Sequence, residues 1–270
     1  MDGMDSYRPE LLLLSDAYMG SPENFAKKLQ FLARFAQPEQ WSYTSAGTEQ
    51  NQILKNYLFY TYDRVKQEGK VSVSEDGALM CFNTGLQTVN GNDIYALFEK
   101  NTSPYARPGQ DWYLNGFKQR TDKEMQLFSE LPDIADYFTN PADFIFDKKM
   151  EIYIDYDHII DDNFDRFVEI GLSDKFIIHA LLESAIRKIV EKTKRNYKLA
   201  IPQFYTDKGT GVSKIQLLLP LFLRGKEEAD LALVVDKSNH NYIGKTILTI
   251  DWAYVNSRRI VKPNADWLKI

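Results

Sequence analysis

His158 is the histidine best placed to move a proton. It closes the run EIYIDYDH, residues 151–158, beside Asp155, Asp157, Asp161 and Asp162. An imidazole titrates near neutral pH and serves as acid or base without a large shift. Read as a strand, the run puts Glu151, Tyr153, Asp155 and Asp157 on one face. Ile152, Ile154, Tyr156 and His158 share the other, so His158 is expected to point inward. A core histidine bonded to a carbonyl or carboxylate is the competing reading. The same acids have the chemistry of a magnesium or manganese site, but carboxylates this close in sequence are more often a solvated edge. His179 and His240 have no second ligand at a metal spacing. No metal and no cofactor are therefore expected.

A second group of polar residues breaks the apolar stretch from Arg195 to Leu223: Asn196, Lys198, Gln203 and Gln216. A buried polar group left unpaired costs about 1–3 kcal/mol. These groups must either satisfy one another or line a cavity. Asp251 interrupts TILTIDWAY and needs a positive partner, for which Lys198 or Arg166 would serve. A structural ion pair is one outcome. The sharper one is a pocket in which Lys198, Arg166 and Arg258 hold a phosphate or carboxylate, with Tyr197, Tyr205, Trp252 and Tyr254 available to stack a base. Asn83, in FNTGL, either reaches that ligand or closes an Asx turn at a strand end. The expected catalytic set is His158, Lys198 and Asp251. The expected ligand-binding set is Asn83, Arg166, Gln203, Gln216, Asn256 and Arg258.

The elements that must position these groups follow from periodicity. Leu11–Leu14 reads as a lead-in packed on the body. Ser21-Pro22-Glu23 starts a helix, with a serine cap and proline in the first turn. A second helix is predicted from about Thr48 to Glu68, ended by Gly69. The period then shifts to two. Strands are predicted over 70–74, 78–84, 93–99 and 111–117, an antiparallel meander with Asp76-Gly77 and Asn90-Gly91 as turns. Short helices are expected over 122–131 and 133–138. Ser173 is read as the cap of a long helix to about Lys194, with Ile177, Leu181, Ala185 and Ile189 as its stripe. Its last turns are basic, as the helix dipole favours. Strands over 195–205, 214–223, 229–235 and 242–254 make a second meander, with Pro202 pointing to an edge. Trp267 is expected to plug the core.

Composition bounds the function. With 44% hydrophobic and 13% aromatic residues the 270-residue chain can bury a sizeable core. The net charge of −5 argues against a protein that coats duplex nucleic acid, without excluding a local basic groove. One cysteine, Cys81, rules out a disulfide framework. Apolar runs fall well short of a membrane span. Leu11–Leu14 follows acids rather than a basic leader and is not expected to be a signal peptide. A cytoplasmic protein is expected. GxSxG, HExxH, P-loop and dinucleotide fingerprints are all absent.

Taken together, FNTGL with GNDIYALFEKN, HIIDDNFDRF, RNYKLAIPQFY, IQLLLPL, ADLALVV and TILTIDWAYVNSR resemble a bacterial and eukaryotic domain family of unknown function, over roughly residues 30–268. That domain often sits beside OST-HTH (LOTUS) modules, which are regarded as RNA-binding. The resemblance implies an association with RNA and no particular reaction. The chain is expected to hold no such module itself.

These readings predict an irregular lead-in over 1–20 and a single α+β domain over 21–270. Its two antiparallel meanders would form one curved, barrel-like sheet with helices packed outside. The expected function is a nucleotide- or RNA-end-binding domain that hydrolyses phosphoesters. A non-catalytic module binding RNA or a protein partner is the first rival, and an enzyme on a non-nucleotide small molecule the second.

Overall fold

Two strand-rich stretches organise the chain, each around its own five-stranded sheet. The computed structural model describes residues 11–43, 49–138, 140–206, 212–225, 227–264 and 266–268. The chain divides into two compact units, Met1–Asp136 and Tyr137–Ile270. The meanders therefore do not merge into one sheet, and neither sheet closes into a barrel.

In the first unit, α1 (Leu12–Asp16) and the two-residue β1 (Ala17–Tyr18) precede α2 (Pro22–Phe35) and α3 (Gln52–Gln67). Ser21 caps α2 as expected, its hydroxyl accepting from Asn24 N at 3.3 Å. The expected start of α3, Thr48, lies outside the described residues. The meander follows: β2 (Ser72–Val73), β3 (Leu79–Gln87), β4 (Asp93–Lys100) and β5 (Trp112–Gln119), paired antiparallel in that order. β1 adds in parallel beside β5, pairing Ala17 with Trp112; nothing in its two residues announces this.

Helix α3 buries Ile53, Leu54, Tyr57, Leu58 and Val65 at helical spacing. Tyr57 donates its hydroxyl to Thr84 O at 2.9 Å, fixing the helix to the end of β3. The approach is close: a Cβ on Gly85 would lie 2.8 Å from that hydroxyl, and Gly85 has φ +71°. Below the meander a 3-10 turn, Lys123–Leu127, places Met125 against Cys81, Tyr95 and Leu97. The second short helix, expected over 133–138, does not form. A six-residue stretch behind Pro132 lacks the length to offset helix nucleation.

The second unit has β6 (Glu151–Tyr153), α4 (Tyr156–Asp162), α5 (Phe164–Glu169) and α6 (Lys175–Arg195). A 3-10 turn, Tyr197–Leu199, leads into β7 (Ile201–Thr206), β8 (Ser213–Leu221), β9 (Leu231–Lys237), β10 (Asn241–Leu248) and α7 (Ile250–Arg258). Strands β7 to β10 form the expected antiparallel meander, and β6 adds in parallel to β10. β7, which carries Pro202, is an edge strand as expected. Residues 207–211, most of the turn read between β7 and β8, lie outside the described residues.

Three expectations change here. The strand predicted over 151–158 stops at Tyr153, because Asp155 caps a helix instead. Its carboxylate accepts from His158 N at 3.1 Å, a helix start that outweighs alternation. The strand predicted over 242–254 stops at Leu248, because Thr249 caps α7 by accepting from Trp252 N. The long helix is capped by Asp174, not Ser173, and it buries Ile178, Leu182, Ala185, Ile186 and Ile189. Ile177 faces solvent, so the predicted stripe was one residue out of phase at its start. Sheet and α6 enclose a core that includes Phe167, Leu219, Leu233 and Tyr242. Trp267 donates its indole N–H to Leu199 O at 2.9 Å and is buried, the plug that was expected.

Among the described residues no helix is long and apolar enough to cross a membrane.

Candidate functional site

The expected site residues fall into distinct local settings. Asn83 belongs to the first unit. It is buried, and its side chain accepts from Gly85 N at 3.0 Å. This is the Asx turn, and the turn uses the oxygen that a ligand would have met.

His158 does not point inward. The cap at Asp155 turns the chain into α4 and leaves the imidazole exposed, with Nε2 3.3 Å from the Asp162 carboxylate, also exposed. Asp161 is held by Lys175 at 2.6 Å. Among the described residues no group of three His, Cys, Asp or Glu side chains could hold a metal ion.

Arg166 is half-buried against the end of β10. Its Nη1 donates to Asn163 Oδ1, to Ile247 O and, at 3.3 Å, to Thr246 Oγ1. Asn163, 3% exposed, also accepts from Thr246 Oγ1 at 2.7 Å and donates to Ile159 O at 2.8 Å. Burial lowers the Arg166 pKa, with Glu169 opposing, and the carbonyl and amide oxygens replace the water it has lost. The guanidinium thus clamps α4 and α5 to β10.

Gln203, Gln216 and Asn256 do come together. Gln203 and Gln216 are directly opposite on β7 and β8. Gln203 donates to Gln216 Oε1 at 3.0 Å, and Asn256, from α7, donates to Gln203 Oε1 at 3.2 Å. Both glutamines are less than 5% exposed. Of the two outcomes the sequence allowed, mutual satisfaction is the one realised.

Lys198 lies in the turn before β7, not in a strand, and is exposed. It forms no ion pair among the described residues, so of the two cations offered as partners for Asp251, Lys198 does not serve. Asp251 sits in the first turn of α7, where a carboxylate meets the positive end of the helix. Arg258, on the last turn of α7, is 7% exposed.

Sequence reasoning assigned one feature to the helix dipole alone. Six of the twelve residues from 187 to 198 are Lys or Arg and one is acidic. The helical cations, Arg187, Lys188, Lys192, Lys194 and Arg195, fall within about 160° of arc at ~100° per residue, opposite the buried stripe. Glu191 takes two of them, Arg195 at 2.8 Å and Lys194 at 3.2 Å, and these hydrogen bonds, that from Arg195 foremost, lower its pKa. Lys192 lies over the Phe222 ring. Arg187, Lys188 and Lys198 are exposed and in no ion pair among the described residues. Beside Lys198, Tyr197 is 55% exposed. The signal was present as a charge count, but complementing the helix dipole accounted for it too readily.

The chain is thus an α+β protein of two open five-stranded sheets in which Arg166, Gln203, Gln216 and Asn256 hydrogen-bond within the fold itself. Residues 32–267 match the sequence profile of the family described as Domain of unknown function (DUF3825), and the chain belongs to that family. No curated protein and no solved structure matches it.

Proposed function

We propose that the chain is a non-catalytic RNA-binding protein whose second unit contacts single-stranded RNA through the basic end of α6 and Tyr197. One observation carries this reading: the excess of cations over residues 187–198 in a chain of net charge −5. A helix dipole amounts to about half an elementary charge and calls for one or two cations. Six against one carboxylate exceed that need. Phosphates of an RNA strand would neutralise the surplus and release counterions, while Tyr197 offers a ring for a base to stack on. A single strand suits this geometry because a base must be free to reach the tyrosine.

Hydrolysis draws no support from the residues expected to perform it or to hold its ligand. His158 stands on an exposed helix face beside Asp162. Gln203, Gln216 and Asn256 spend hydrogen bonds on one another.

The test is fluorescence anisotropy with a labelled uridine oligonucleotide and an RNA duplex, titrated over salt. The single strand should bind more tightly, with affinity falling linearly in log salt at about −0.7 per phosphate contact. The triple variant Arg187→Glu, Lys188→Glu, Lys198→Glu should lose at least tenfold and show a shallower slope. Tyr197→Ala should cost about 1–3 kcal/mol. A triple variant that binds as well as the parent, or a parent with no affinity at low salt, would overturn the proposal.

A further inference from the structure

The first unit holds a cleft of about 410 Å³ between the last turns of α2 and the start of α3. Gln30, Ala33 and Arg34 line it from α2, and Asn51 from the head of α3. That volume falls within the range of small-ligand sites.

Asn51 is the unusual member. It is 8% exposed, and it is the one non-glycine residue with positive φ among the described residues, at φ 59° and ψ 27°. Its backbone N–H donates to Ser42 Oγ at 2.9 Å and its carbonyl accepts from Lys55 N. Its carboxamide caps nothing and has no hydrogen-bond partner among the described residues. Asparagine at a helix start ordinarily accepts from the first-turn amides. Here the left-handed backbone goes with a carboxamide that lines the cleft without a protein partner among the described residues.

Asn51 stands at the positive end of a 16-residue helix with no acid in its first turn. The Ile53 amide is taken by Trp41 O at 3.0 Å, whereas the Gln52 and Leu54 amides have no partner among the described residues. Arg34 adds a cation on the opposite side. Glu39, the acid among the described lining residues, is itself engaged in an interaction. An unpartnered carboxamide at a helix N-terminus and a guanidinium lining one volume suit an anion. The remaining walls, with Gln40, Gln50 and Tyr43, offer hydrogen bonds to a polar body.

We infer that this cleft binds a terminal phosphate carried by a polar group of about mononucleotide size. Asn51, at the head of α3, would meet the phosphate and Arg34 would balance its charge. The inference lies in the other unit from the proposed RNA contact and does not depend on it. The phosphate has two possible sources, a free mononucleotide or the 5′ end of an RNA.

Isothermal titration of the full chain with adenosine 5′-monophosphate, adenosine and inorganic phosphate tests it, alongside anisotropy with 5′-phosphorylated and 5′-hydroxyl oligonucleotides. The monophosphate should bind at least tenfold more tightly than adenosine. If the source is an RNA end, the 5′-phosphorylated strand should outbind the 5′-hydroxyl strand by a similar factor. Asn51→Gly suits the left-handed backbone and removes only the carboxamide, so it should keep the melting temperature and lose at least tenfold in phosphate-dependent affinity. Arg34→Gln should do the same. The triple variant in α6 should leave monophosphate affinity unchanged, which separates this site from the RNA contact. Equal binding of monophosphate and adenosine with no 5′-phosphate preference, or full affinity in Asn51→Gly and Arg34→Gln, would overturn the inference.

Discussion

Replacing Gln216 by methionine strands a buried donor, and the cost can be worked from the geometry. Gln203 Nε2 lies 3.0 Å from Gln216 Oε1 in a pair less than 5% exposed on either side. Methionine has nearly the volume of glutamine, so packing changes little. What is lost is one hydrogen bond, and what remains is a desolvated N–H, worth together about 1–3 kcal/mol. Gln203→Met should cost a similar amount, since it strands Gln216 Oε1 while the half-buried Asn256 can still reach water. The double variant leaves neither glutamine group behind. Its cost should therefore fall below the sum of the singles by at least 1 kcal/mol, a coupling expected of directly bonded neighbours. Urea unfolding of the parent, both single variants and the double variant, followed by tryptophan fluorescence, measures the coupling. Strictly additive costs would refute the reasoning: the two amides would then be satisfied separately, as they would be if they lined a hydrated cavity.

Arg166→Leu should destabilise the protein by about 2–4 kcal/mol, because Asn163 Oδ1 and Ile247 O lose a charged donor; the urea midpoint checks it, and RNA affinity should not change. Gly85→Ala should cost at least 1 kcal/mol, since φ +71° is strained for alanine and its Cβ would press on the Tyr57 hydroxyl; a melting curve decides. The Cys81 thiol is pushed up to about 12 by burial and has no exposed surface, so a thiol reagent at neutral pH should label it only after urea unfolding. Tyr62, Tyr95, Tyr156 and Tyr242 all have raised pKa values, chiefly from desolvation. Their neutral forms are favoured in the folded state, so stability should hold below the ordinary phenol value near 10 and decline as pH rises above it. A pH series of urea midpoints from 8 to 11 would show this, and a flat profile would contradict it.

Much of the architecture was legible because the signals were local. Ser21-Pro22 caps α2 as its residue types dictate, and the Asp-Gly and Asn-Gly turns mark a meander whose strands β2 to β5 pair in chain order. The second meander and its proline-bearing edge were equally plain. The failures occurred where two local codes competed. In residues 151–158 an alternating pattern lost to the helix cap at Asp155, and this turned His158 from a presumed inward acid–base group into an exposed side chain. At Thr249 a hydroxyl in cap position ended the strand that TILTIDWAY suggested.

Residue types alone determined that the chain would build α+β units, that Cys81 would be an unpaired thiol, and that Gln203 and Gln216 could not both be buried without partners. Only the tertiary structure decided who those partners are. The register of β7 against β8 sets the two glutamines opposite each other, and the packing of α7 brings in Asn256. It also decided that Arg166 would bond a β10 carbonyl rather than a ligand, that the meanders would form separate sheets, and that Asn51 would enter α3 with a left-handed backbone. Each of these depends on contacts between residues far apart in the chain. The energy that selects them is summed over surfaces that exist only after folding, so no window of sequence contains it.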